Sequence, residues 1–182
     1  GIESLAAWLV EKGFHIVFVN ENKTPIRGYK WREKPVTDVE KAKRFAKKAS
    51  GIGVVAGLKP FGNKRLLAFD VDKPSALDKL GQSSTIKQLM YLTVSWRSGV
   101  RCPKCENKHI EVVEQGKRFR CSSCDTVFSV EDAKRGYGFL LLVDEELYKK
   151  YASELKGIQS VFEVYTQNHY VIIPPSKHPS GV

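Results

Sequence analysis

The stretch Leu66-Leu67-Ala68-Phe69-Asp70-Val71-Asp72 constrains this chain more than any other. Four apolar residues in a row read as a buried strand, and the run ends in two carboxylates one residue apart. Side chains alternate faces along a strand with period two, so Asp70 and Asp72 point the same way while Val71 points into the opposite core. Like charges side by side repel, and a hard divalent cation between them removes the conflict. The competing explanation is that Asp72 caps a helix beginning after Lys73-Pro74, a common use of Asp ahead of an N1 proline.

A chain of 182 residues allows one domain of ordinary size with a small insert, and 42% hydrophobic residues are enough for a core. Thirty Lys and Arg against twenty Asp and Glu give a formal charge of +10, with a pI near 9.4. Such an excess either solvates the surface or meets a polyanion. No apolar run approaches the ~18 residues of a membrane span, and the first residues lack a basic-then-apolar leader pattern. The expected compartment is therefore the reducing cytoplasm, with no membrane partner. There the four cysteines read as metal ligands before disulfides.

Their spacing supports this. Cys102-Pro103-Lys104-Cys105 and Cys121-Ser122-Ser123-Cys124 are two CxxC turns separated by fifteen residues. That pattern fits a zinc ribbon, in which each turn supplies two thiolates to one tetrahedral Zn²⁺; a redox or disulfide role is the alternative. Structural zinc contributes on the order of 10 kcal/mol, so a short polar insert over 102–128 can fold around it without a large core. Lys104, Lys108, Lys117, Arg118 and Arg120 make the ribbon basic and able to touch nucleic acid.

Along the chain, residues 3–13 carry helical apolar spacing and stop at Gly13; Phe14–Val19 reads as a strand. The loop that follows interleaves Lys23, Arg27, Lys30, Arg32 and Lys34 with Tyr29 and Trp31. This suits a nucleic-acid surface in which phosphates meet cations and bases stack on rings. Equally, Trp31 folds back onto the core and the charges face solvent. Thr37 is expected to cap a helix through Ala49 whose lysines form a solvated face. Gly51–Gly57 reads as a strand whose glycines permit close backbone approach, to a ligand or in turns. A helix is expected from Pro74 to about Leu80, and a strand from Leu89 to Ser95 runs on into Trp96–Arg101. Gly136–Val143 reads as a buried strand. The helix from Asp144 to about Leu155 opens on acids read as caps. Val161–Tyr165 places Glu163 in an apolar strand, where a hairpin turning it toward Asp70 and Asp72 would converge three carboxylates.

With Gly51–Gly57, Asp70 and Asp72, Glu163, and Pro174-Pro175-Ser176-Lys177-His178-Pro179-Ser180-Gly181 in this order, the chain resembles the bifunctional primase/polymerase family of the archaeo-eukaryotic primase superfamily, typical of archaeal plasmids and viruses. The opening Gly13-Phe14, Lys23-Thr24-Pro25 and Trp31 share the likeness. The resemblance implies an α+β fold: one domain over 1–182 with an RRM-like mixed or antiparallel catalytic sheet flanked by helices, an N-terminal helix-strand-helix part over 1–50, the catalytic sheet over 51–182, and the inserted zinc ribbon. It implies that Asp70, Asp72 and Glu163 hold two divalent metals, Mg²⁺ or Mn²⁺, for template-directed nucleotidyl transfer to a 3′-hydroxyl. DNA template and primer and nucleoside triphosphates would be the partners, with a C-terminal helicase region as a further one, in plasmid or viral replication in a prokaryotic cytoplasm. The family's third acid is usually Asp, so Glu163 departs mildly. Its second motif pairs Ser or Thr with a His on nucleotide phosphates; here Ser95, Arg97 and Arg101 fall in that region, with Arg101 at the histidine's place. Arginine can hold a triphosphate. Ser176 and His178 belong to the PPSxHPSG loop, for which the resemblance implies a nucleotide contact or a structural role. Lys30, Trp31, Arg32, Lys108, Lys117, Arg118 and Arg120 are the expected nucleic-acid contacts.

Two other readings compete. A non-catalytic zinc-ribbon binding module needs only the basic surface and the cysteines. A HAD-type phosphohydrolase also opens on a strand ending DxD, but wants a threonine soon after it and a later acid pair; residues 73–75 are Lys-Pro-Ser.

Overall fold

A computed structural model describes residues 1–60, 62–71, 93–158, 163–166 and 168–176. The helix expected from Pro74, the strand residues 89–92, Asp72 and His178 lie outside the described residues. The fold is mixed α+β with antiparallel strand pairing.

Helix α1 (Ile2–Glu11) ends where the sequence says it should, with Gly13 at φ +86° just past the cap. Strand β1 (Ile16–Val19) follows, then α2 (Val39–Ala46). The cap of α2 is Asp38, not Thr37: its carboxylate accepts the Lys41 amide at 2.7 Å. A carboxylate makes the stronger, charge-assisted cap and so shifts the start by one residue. Strand β2 (Gly51–Ala56) pairs antiparallel with β1 on one side and with β10 (His169–Ile173) on the other. All ten residues of β1 and β2 are buried, so both faces of this three-stranded sheet are covered. Strand β1 is thus built into one sheet with β2 and β10.

A second sheet runs in the order β4-β8-β3-β9. Its strands are β3 (Lys64–Val71), β4 (Thr93–Arg101), β8 (Lys134–Asp144) and β9 (Glu163–Tyr165). Its two faces part as period-two alternation demands. Leu66 and Ala68, with Leu140, Leu142 and Trp96, join the cluster built on the three-stranded sheet. Leu67, Phe69 and Val71, with Leu141 and Val143, pack against Leu147, Tyr148, Tyr151 and Leu155 of helix α3 (Glu145–Ile158). One face therefore meets the other sheet, and the opposite face meets a helix.

The insert forms a third sheet, β5 (Ile110–Glu114), β6 (Arg118–Cys121) and β7 (Val127–Ser129). It has its own small core of Val100, Cys102, Phe119, Cys121 and Phe128. It grows from the ends of β4 and β8, where the pairing register breaks between Ser98 and Arg101.

The acids at the start of α3 do more than cap. Asp144 closes β8, and buried Glu145 grips Arg65 of β3 by two bonds, Nε to Oε2 at 2.8 Å and Nη2 to Oε1 at 2.7 Å. Arg65 lies over the Tyr148 ring at 4.4 Å and also donates from Nη1 to the Thr166 carbonyl at 3.3 Å. This bidentate pair fastens α3 to the four-stranded sheet and to the turn after β9.

Candidate active site and metal centre

The register of the four-stranded sheet assembles the site. Trp96 pairs with Gly138, Gly138 with Asp70, and Asp70 with Glu163. These four positions form one transverse row on one face, from β4 through β8 and β3 to β9. Facing residues on neighbouring strands stand about 5 Å apart at Cα, so two acids roughly 90 residues apart in sequence become neighbours. The face is the one turned toward the three-stranded sheet, where the apolar packing of Leu66 and Ala68 gives way at Asp70 to an open cleft of about 320 Å³. Lys23, Trp96, Gly138, Tyr165, His169 and Tyr170 line it with Asp70. Two acids at paired positions on adjacent strands, one of them lining the cleft, have the donor chemistry for hard divalent cations, and the residue types present fit such a group.

Gly138 is the row's silent member. A Cβ placed on it would overlap the Trp96 indole, which lies across it. The ring thus occupies the position beside Asp70, and only glycine admits it. A glycine inside an apolar strand is a sequence sign of close approach. That sign could have found this place; the hairpin register was needed to pair it with Trp96.

Alternation decides the fate of the expected phosphate contacts. With Trp96 on the cleft side, Ser95 and Arg97 fall on the other face; Arg97 shares its row with Tyr137 and buried Val71. Its charge is felt there by Arg135, whose guanidinium is pulled below the ordinary arginine value by burial and by Arg97. Arg101 is 8% exposed at the root of the insert. Period two along β4 puts Arg97 on the face opposite Asp70, and Arg101 lies past the register break after Ser98.

Ser176 is engaged elsewhere as well. Its hydroxyl accepts the Ile52 amide at 2.8 Å and donates to the Ile52 carbonyl at 3.2 Å, clasping the chain onto β2. A Cβ on Gly51 would come within 2.8 Å of Ser176 Oγ, so this glycine makes room for the clasp and not for a ligand.

In the basic loop, Trp31 is buried, in edge-to-face contact with Tyr170 at 5.3 Å and with the Arg32 guanidinium 4.3 Å over its ring. The ring is folded back onto the core, as the second alternative expects, and packs beside the loop that carries Lys23 to the cleft. Lys30, Arg32, Lys108, Lys117, Arg118 and Arg120 are exposed. Lys30 pairs with Glu33 at 3.4 Å and Lys117 with Glu114 at 2.8 Å, exposed pairs worth little.

The four cysteines meet at the base of the insert. Their sulfurs lie within 4.8 Å of one another, with Cys102–Cys124 at 3.6 Å, Cys105–Cys121 at 3.5 Å and Cys105–Cys124 at 3.6 Å. A tetrahedron of thiolates around zinc, with Zn–S near 2.3 Å, has edges of about 3.8 Å, so the donor set fits that ion. All four are free thiols. The Thr126 hydroxyl and amide lower Cys124 to about 6. Cys105 is pushed up to about 12: the Asn107 amide works the other way, but burial and three neighbouring thiols prevail.

The comparison with known families agrees with this geometry. The sequence model of the family described as bifunctional DNA primase/polymerase, N-terminal, matches residues 6–182. The chain belongs to that family. No curated protein and no solved structure matches it. Family membership implies a DNA-directed nucleotidyltransferase of primase/polymerase type acting on DNA and nucleotides. Among the described residues no helix is long and apolar enough to cross a membrane.

Proposed function

We propose that this domain extends DNA strands by template-directed nucleotidyl transfer at the cleft that holds Asp70, with Asp72 and Glu163 completing the acidic set. The observation that carries the reading is the cross-strand register that pairs Glu163 with Asp70, the acid that lines the cleft, in a chain matched over residues 6–182 by the primase/polymerase family. The strand order β4-β8-β3-β9, antiparallel throughout with one helix on its far face, supports an RRM-like description of the sheet.

In the reaction the primer's 3′-oxygen attacks the α-phosphorus of a nucleoside triphosphate. The new phosphodiester forms as the bond to the β-phosphate oxygen breaks, and pyrophosphate leaves. Mg²⁺ or Mn²⁺, when bound, supplies the charge that lowers the hydroxyl pKa and neutralises the leaving group. The chain's own contribution is placement. Asp70 and Glu163 present two acids from one row. Lys23 brings a cation to the wall of the same cleft. Trp96 closes the side next to Asp70 with an apolar ring that displaces water. Exposed Lys30, Arg32, Lys108, Lys117, Arg118 and Arg120 supply positive charge for the nucleic-acid backbone. Zinc in the four-cysteine site holds the insert together and takes no part in the chemistry. The setting is replication of a plasmid or virus, with a helicase region as the natural partner.

Primer extension with deoxynucleotides and Mg²⁺ or Mn²⁺ tests this, comparing the wild type with Asp70→Ala. Extension by the wild type and its loss in the variant is the expected result; equal incorporation by both sinks the reading.

A further inference from the structure

The turn between β9 and β10 stacks two rings against each other beside the acidic row. Tyr165 and His169 have centroids 3.7 Å apart and planes within 9°. Tyr165 stands opposite Ala68, on the same face as Asp70 and one pleat away from it, a separation of about 7 Å along the strand. His169 is exposed and lines the cleft that contains Asp70.

Such a pair is not a core contact. A face-to-face sandwich is the less favoured arrangement of two rings, and the imidazole in this one is exposed, with Tyr170 a further ring neighbour at 6.2 Å. It is nonetheless held in place. Arg65 donates to the carbonyl of Thr166, between the two rings in sequence, and also to that of Gly57 at 3.4 Å. Glu145 fixes Arg65 in turn. Asn168 takes φ +50° to close the turn, a conformation Asn tolerates better than most residues. The fold thus props an aromatic surface at the rim of the cleft and spends a buried ion pair to keep it there.

We propose that His169, backed by Tyr165, is a stacking surface for a nucleobase whose phosphate lies at Asp70 and Glu163. The proposal rests on the primase/polymerase reading for the phosphate's position. A planar π-face suits any base and selects none. The offset between the stack and Asp70 is about what a sugar spans between a base and its phosphate. The wall on the Asp70 side is acidic, so the ring pair is the part of the rim that fits the uncharged end of a nucleotide. The base belongs either to the entering nucleoside triphosphate or to the 3′ end of a DNA strand.

The experiment is equilibrium binding to the full chain, with no turnover required. One arm uses a 2-aminopurine deoxynucleoside triphosphate, the other a short single strand carrying 2-aminopurine at its 3′ end, each read by quenching of the probe. His169→Ala is expected to weaken one arm about tenfold or more and to relieve its quenching. His169→Phe, which keeps a ring, should stay within about threefold of wild type. The arm that responds identifies the source of the base. Unchanged affinity and quenching in both arms for His169→Ala overturns the proposal, as does a His169→Phe variant as weak as the alanine one. Because nothing is extended, a chain that stacks the probe yet cannot lengthen a primer would sink the polymerase reading and leave the stacking surface standing.

Discussion

Asp70 on β3 stands directly opposite Glu163 on β9, in the same row as Gly138 and Trp96. Like charges facing each other across an antiparallel pair cost roughly 0.2–1 kcal/mol. A fold retains them when a cation repays that cost.

Neutralising one member should therefore separate stability from activity. Without divalent metal the thermal midpoint of Glu163→Gln is expected to hold or rise slightly, while with Mg²⁺ or Mn²⁺ present its primer extension falls by about a hundredfold or more. Mg²⁺ or Mn²⁺ should raise the midpoint of the wild type and not of the variant. A wild-type midpoint indifferent to both ions would count against the acidic pair as a metal site.

Gly138→Ala asks for space the Trp96 indole already fills. Overpacking of this kind costs about 1–3 kcal/mol. The expected outcome is a lower thermal midpoint with a red-shifted tryptophan emission as the ring is driven toward solvent. Trp96→Ala combined with Gly138→Ala should recover much of the loss, and a combined variant no more stable than Gly138→Ala would show that the clash is not its origin.

Removing zinc should undo the insert and spare the sheets. The insert's cluster of Val100, Phe119 and Phe128 is small and separate from the two larger cores. Metal analysis is expected to give about one zinc per chain. A chelator, or Cys121→Ser, should open residues 102–133 to protease while a folded remainder survives. A fully folded, protease-resistant protein without metal would refute the site.

The Arg65–Glu145 pair carries a pH signature. Arg65, with help from Lys59, holds the Glu145 carboxyl below its ordinary value despite burial. A carboxylate with a lowered pKa in the folded state contributes stability that is complete above the unfolded-state value and is lost as pH falls through the folded one. Acidification below the usual glutamate range should thus loosen the β9–β10 turn, seen as faster amide exchange around Thr166. Arg65→Ala, which takes away the bidentate partner of the Glu145 carboxylate, is expected to lower the thermal midpoint at neutral pH and to flatten the acid dependence. An Arg65→Ala variant with the wild-type pH profile would contradict this role for the pair.

What the linear sequence determined is whatever depends on neighbours along the chain. The run Leu66–Phe69 before Asp70 forces a buried strand, the two CxxC turns bring their thiols together by local geometry, and Gly13 stops α1. The order of short motifs was enough to place the chain in its family. What only the tertiary structure decided depends on register between distant strands. Period two on β4 hands the cleft to Trp96 and turns Arg97 away. Pairing of β3 with β9 sets Glu163 opposite Asp70. The break after Ser98 draws Arg101 into the root of the insert, and Trp31 and Ser176 are spent on holding β10 and the loop beside it. A one-residue slip in any of these pairings would exchange the faces of a whole strand. That choice is made by the packing of both sheet faces at once, which no single segment carries.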